Sequence, residues 1–190
     1  MRRSGVLLPV TSLPSRFGIG TFSKEAYAFV DFLKEAGQKL WQILPLGPTG
    51  YGDSPYQAFS TFAGNPYLID LEELIENGWL TEEECENTDW GGSKSYVDYE
   101  KMYQGRFPLL RKAYHNSHIA ENAEFIAFCE ENDWWLSDYA LFMAIKDSQG
   151  GASFLEWDAP LKLREPEAIR RCRHELSDDC LLYTSDAADE

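Results

Sequence analysis

The chain has 190 residues, 44% of them hydrophobic and 26% charged. That fits one domain or a piece of a larger one, and excludes collagen-like and wholly disordered chains. Lys plus Arg number 17 against 32 for Asp plus Glu, a formal charge of -15. Phosphate backbones and anionic bilayers attract basic surfaces, so a nucleic-acid binder or a membrane-surface protein is disfavoured. The imbalance is also local. No basic residue lies between Lys39 and Lys94, while Asp53, Asp70, Glu72, Glu73, Glu76, Glu82, Glu83, Glu84, Glu86 and Asp89 fall in that interval. An anionic ligand meets repulsion there, and a neutral one does not.

In chain order, residues 5–10 form a short continuous apolar run. Unbroken hydrophobicity predicts a strand covered on both faces, as in a parallel sheet. The run is too short for a signal-peptide core, because Pro9, Thr11 and Ser12 close it. Residues 11–21 read as a loop shaped by Pro14, Gly18 and Gly20. Ser23 is placed to cap a helix carrying Ala26, Phe29, Val30 and Leu33 on one stripe, with Gly37 as its left-handed stop. Residues 40–44 give a second strand stopped by Pro45 and Gly47. Strand, helix and strand in about forty residues predict a right-handed βαβ crossover.

Residues 47–57 form a long loop. Residues 71–77 read as a short helix ended by Gly78, and Thr81 with Glu84 as a capping box for another. Residues 87–95 read as a polar linker. Three longer helices follow: 99–116, kinked near Gly105 and Pro108, then 122–131 and 133–147. Gly150 and Gly151 break the last of these, and Pro166 opens a final helix reaching about Leu176. Two strands cannot cover their own faces and edges, so the expectation is the beginning of a longer protein. Residues 180–190 continue no earlier stripe and are set apart as a non-native tail.

Cys85, Cys129, Cys172 and Cys180 are widely spaced and contain no C-x-x-C pair. That predicts free thiols in a reducing compartment, the cytoplasm. His115 and His118 have metal-pair spacing but no third ligand nearby, so they read as a solvated helix face. Trp41, Trp134, Trp135 and Trp157 read as packing residues.

The informative segment is Gly47-Pro48-Thr49-Gly50-Tyr51-Gly52-Asp53-Ser54-Pro55-Tyr56-Gln57. It leaves the carboxyl end of the second strand, where α/β folds hold ligands. Proline and glycine shape a ledge bearing phenol rings, which pack on the apolar faces of sugars, and hydroxyl, amide and carboxylate groups, which bond sugar hydroxyls. The same residues also suit a structural turn plugged by its tyrosines. A phosphate cradle is excluded, since no G-K-[ST] follows and Asp53 would repel the anion. Ser12, Ser15 and Arg16 leave the first strand beside this loop and are candidates for the same cleft, or for plain turn chemistry.

With Leu40 to Leu46 before it, this loop resembles that of the amylomaltases, bacterial 4-α-glucanotransferases whose family includes plant disproportionating enzymes. Thr11-Ser12-Leu13-Pro14, Phe62 to Asp70, Val97-Asp98-Tyr99 and Asp138 to Phe142 match in the same order. The resemblance implies an α/β fold that is an incomplete (β/α)8 TIM barrel, its start in residues 1–65. It also implies a mostly helical insertion at 66–153 and a helical return at 154–179.

The implied chemistry is transfer of α-1,4-glucan segments between maltooligosaccharides, with retention, through an Asp nucleophile and a Glu acid/base about 5 Å apart. Those carboxylates lie on later strands, so none of this chain's residues is implied as catalytic. Ser54 and Tyr56 match acceptor-side positions. Tyr51 and Tyr103 match tyrosines that hold glucan away from the active centre, and Asp53 is placed by proximity. No metal or organic cofactor is implied, and neither nucleic acid nor membrane is an expected partner. A noncatalytic carbohydrate-binding or scaffold module remains the alternative.

Overall fold

The computed structural model describes residues 2–50, 52–93 and 95–187, with side chains to 185. The chain divides into two compact units, Met1–Ser117 and His118–Glu190.

In the first unit, strand β1 (Gly5–Leu7) leads through a 3₁₀ turn at Val10–Ser12 to helix α1 (Lys24–Glu35) and strand β2 (Leu40–Gln42). The strands are parallel, with Gly5 opposite Leu40, Val6 opposite Trp41 and Leu7 opposite Gln42. Ser23 caps α1 as its position predicts, its hydroxyl accepting from the Glu25 N–H at 3.3 Å. Gly37 ends the helix at a φ of 74°. Phe29 meets Trp41 edge-on with centroids 5.0 Å apart, and the Trp41 indole N–H donates to the Leu8 carbonyl at 2.8 Å. Helix and sheet thus close over Val10, Leu13 and Ala26.

The strands differ from expectation in length and cover. Each has three residues, and both run exposed, half-buried, exposed. Leu7 is 58% and Leu40 52% exposed. Unbroken hydrophobicity here does not correspond to two covered faces.

The rest of the first unit is helical: α2 (Leu71–Glu76), α3 (Glu82–Glu86) and α4 (Tyr99–Ser117). Asp70 caps α2, its carboxylate accepting from the Glu72 N–H at 3.2 Å. The capping box of Thr81 and Glu84 forms in both directions. Phe17, Leu71, Leu74, Leu80, Cys85, Leu109, Leu110 and Ala113 make one core. The segment at 87–95 is no simple polar linker. Trp90 packs on that core, with its indole N–H donating to the Cys85 carbonyl at 2.7 Å.

In the second unit, α5 (Ala123–Ser148), α6 (Ala159–Lys162), α7 (Pro166–Glu175) and α8 (Ser177–Ala187) follow one another. The two helices expected at 122–131 and 133–147 are one helix of 26 residues. The polar run Glu130 to Asp133 has no proline or glycine to stop it. Asn132 donates from its side chain to the Phe128 carbonyl at 3.0 Å and accepts from the Trp135 indole at 3.0 Å. Trp157 packs with Leu141, Ile145 and Cys172 as a packing residue should, whereas Trp134 is largely exposed. In α8, Cys180 lies against the same core and Leu182 is buried. Among the described residues no helix is long and apolar enough to cross a membrane.

Candidate ligand site

The loop after β2 is held by its own backbone. The Asp53 N–H donates to the Gly50 carbonyl at 3.0 Å, the Gln57 N–H to the Ser54 carbonyl at 3.0 Å, and the Phe59 N–H to the Pro48 carbonyl at 3.1 Å. The Asn65 side-chain amide reaches back to the Gly47 carbonyl at 3.3 Å. Two glycines are required by close approach. A Cβ on Gly47 would stand 2.7 Å from the Ser60 carbonyl oxygen, and one on Gly50 would stand 2.6 Å from the Phe59 ring.

Asp53 occupies the left-handed region at a φ of 49°, which Asp tolerates better than most residues. The Thr49 hydroxyl donates to its carboxylate at 3.4 Å. Partial burial raises the Asp53 pKa above the ordinary carboxylate value, with the Thr49 bond opposing that rise.

Two phenols from other segments, Tyr67 and Tyr99, feel the charge of this carboxylate. Tyr67, in the 3₁₀ turn Pro66–Leu68, is buried and has its N–H held by the Asn65 side chain at 3.0 Å. Burial lifts its phenol pKa well above the usual range, and the charges of Asp53, Tyr103 and Tyr99 add to the rise. Tyr99 opens α4. Burial, then Asp53, raises its pKa against a side-chain hydrogen bond with Thr11. The Tyr67 ring stands 5.9 Å from Tyr99 and 5.6 Å from Phe107, and Phe107 stands 5.2 Å from Tyr103. Tyr99, Tyr103 and Phe107 recur every four residues, the spacing of one face of α4.

Of the sequence-derived site residues, Asp53 and Tyr103 are thus gathered around Tyr67. Tyr56 is 73% and Tyr103 61% exposed, so each offers a ring to solvent. Ser54 is half-buried at the base of the turn bearing Tyr56. Among the described residues, no ring contact or hydrogen bond joins Tyr56 to Tyr103. Tyr51 lies outside the described residues. Two of the candidates from the loop after β1 are engaged elsewhere: the Ser15 hydroxyl accepts from the Phe17 N–H at 3.1 Å, and Arg16 pairs with Glu82 at 2.7 Å and Glu86 at 2.8 Å on α3, while Ser12 is exposed. Thr11 is the residue of that loop that reaches the phenols. Tyr67 and Tyr99 do not emerge from the loop motif, but the four-residue aromatic recurrence on α4 is the signal that marks Tyr99.

The arrangement offers rings for stacking, and phenols and a carboxylate for hydroxyl groups. Groups of these kinds suit a neutral, hydroxyl-rich ligand.

A family model described as 4-alpha-glucanotransferase matches residues 8–185. The 4-alpha-glucanotransferase of Thermus thermophilus is 47% identical over 186 residues, covering 96% of this chain and 36% of its own length. That of Clostridium butyricum is 46% identical over 170 residues, covering 90% and 35%. The chain therefore spans little more than a third of these relatives. Among solved structures, an amylomaltase from Streptococcus agalactiae in complex with acarbose superposes with a TM-score of 0.93 at 43% identity, over 99% of this chain and 38% of that one.

Proposed function

The chain belongs to the 4-alpha-glucanotransferase family, and on that premise we propose that it is the amino-terminal part of such an enzyme. In this reading β1, α1 and β2 begin an incomplete (β/α)8 barrel, and residues 66–153 are the mostly helical insertion after its second strand. The whole enzyme transfers α-1,4-glucan segments between maltooligosaccharides with retention of configuration, through a covalent glycosyl-enzyme. This chain holds the glucan and carries none of the catalytic carboxylates. The observation that carries the reading is the superposition over nearly the whole chain on an amylomaltase whose structure contains acarbose.

Tyr56 and Ser54 serve the acceptor side in this assignment. Tyr103, with Tyr51, holds glucan farther out, and Asp53 accepts from sugar hydroxyls. The chemistry agrees with a neutral polymer: two largely exposed phenol rings, a carboxylate, and an interval of acidic residues with no cation. No nucleic acid, membrane or cofactor enters the assignment. The free thiols among the described residues suit a reducing compartment, and the cytoplasm is the compartment proposed.

Two assays on the purified chain test the proposal. Titration with maltoheptaose gives saturable binding, and incubation with maltotriose releases no glucose. A cooperatively melting chain that ignores maltoheptaose overturns the binding half. Glucose release overturns the assignment of catalysis to residues beyond this chain.

A further inference from the structure

Arg106 lies mid-way along α4 with 0% of its surface exposed. Its Nη2 donates to the Ile69 carbonyl oxygen, while Nε and Nη1 have no hydrogen-bond partner among the described residues. Burial lowers its pKa to about 10, and Asp70, then Cys85 and Tyr67, act against that fall, so the guanidinium stays charged at neutral pH. Stability does not account for such a group. A desolvated ion with orphaned donors is costly, and an apolar side chain of similar volume in its place is often neutral or stabilising.

Its position supplies another account. Arg106 stands one helical turn beyond Tyr103 and immediately before Phe107, whose ring lies 5.2 Å from Tyr103 and 5.6 Å from Tyr67. The carbonyl it holds belongs to Ile69, two residues after Tyr67. One side chain therefore ties the helix that carries Tyr99, Tyr103 and Phe107 to the turn that carries Tyr67.

We infer that Arg106 is a positioning residue: it fixes Tyr67, Phe107 and Tyr103 as a single aromatic shelf, and saccharide affinity depends on it although it touches no saccharide. The inference rests on the glucan-binding assignment above.

The experiment compares the wild-type chain with Arg106→Met, Arg106→Lys and Arg106→Gln, by thermal denaturation and by maltoheptaose titration corrected to the folded fraction. Arg106→Met is expected to melt at or above the wild-type temperature and to bind at least 5-fold more weakly. Arg106→Lys keeps the charge and a donor for Ile69, and is expected to bind within 2-fold of wild type. A purely structural role would do the reverse, lowering the melting temperature with affinity per folded molecule unchanged. If Arg106→Met does not fold, the other two variants decide: weaker binding by Gln than by Lys supports the inference, and equal binding overturns it. Wild-type binding with unaltered affinity in folded Arg106→Met overturns the positioning role alone. A folded wild-type chain that does not bind overturns the glucan assignment, and this role with it.

Discussion

In the β1–α1–β2 segment Leu7, Tyr27, Phe32 and Leu40 lie exposed, whereas across α2, α3 and α4 the side chains of Leu71, Cys85, Met102 and Leu110 are buried, and so is the charged Arg106. Both segments belong to the first unit, and both are rich in large apolar residues. The helical one closes a core around itself, with caps at Asp70 and Thr81 finishing its short helices. The strand segment packs one side of α1 on the sheet and leaves the strands' remaining apolar side chains exposed. Under the barrel reading, that surface is where further strands and helices lie, so the two segments divide self-sufficient packing from packing that is shared.

The largest effect expected from this contrast is in stability. Leu71→Ala empties a fully packed site and should cost about 2–5 kcal/mol in urea unfolding. Leu7→Ala and Leu40→Ala remove side chains already half in solvent and should stay within about 0.5 kcal/mol. Equal losses at all three positions would erase the distinction. A smaller effect sharpens the helical side: Thr81→Ala removes one half of the capping box on α3 and should cost about 1 kcal/mol, read as a lower urea midpoint at unchanged slope.

The smallest effect concerns the site loop and depends on pH. The Asp53 carboxyl has its folded-state pKa raised by burial, so the native state holds its proton more tightly than the unfolded chain. Stability from this group is full below the unfolded carboxylate value and is lost as pH rises through the raised one. Asparagine tolerates the same left-handed backbone and carries no charge. Asp53→Asn should therefore melt above wild type at neutral pH, with the gap closing as pH falls through the raised value and gone below the ordinary carboxylate value. A gap that widens on acidification would contradict the burial of Asp53.

Much of the fold was legible in local chemistry. Ser23, the Thr81–Glu84 pair and Pro166 begin elements where their side chains dictate, and Gly37, Gly78 and the Gly150–Gly151 stop lie just past helix ends at positive φ, which the lack of a side chain permits. What was not legible depended on partners distant in sequence. The polar run Glu130 to Asp133 looks like a break, yet nothing in it forbids a helix, and α5 runs through it with Asn132 hydrogen-bonded to Phe128 and Trp135. Trp90 sits in a polar stretch, and its burial is set by Phe17, 5.9 Å away between ring centroids. Arg16 follows the loop after β1 but finds its carboxylates on α3. In the site, the loop motif marks Asp53 and Tyr56. The gathering of Asp53, Tyr99 and Tyr103 around Tyr67 needs the fold, because three separated segments meet there.

Calorimetric titration of the chain with maltoheptaose, before and after Tyr56→Ala and Tyr103→Ala, tests whether the exposed phenols of this unit hold an α-1,4-glucan. A stacked or hydrogen-bonded sugar contact of about 1–3 kcal/mol predicts that each substitution weakens binding by roughly 5- to 150-fold, with the melting temperature unchanged because both rings are mostly in solvent. Wild-type affinity retained in both folded variants would contradict it.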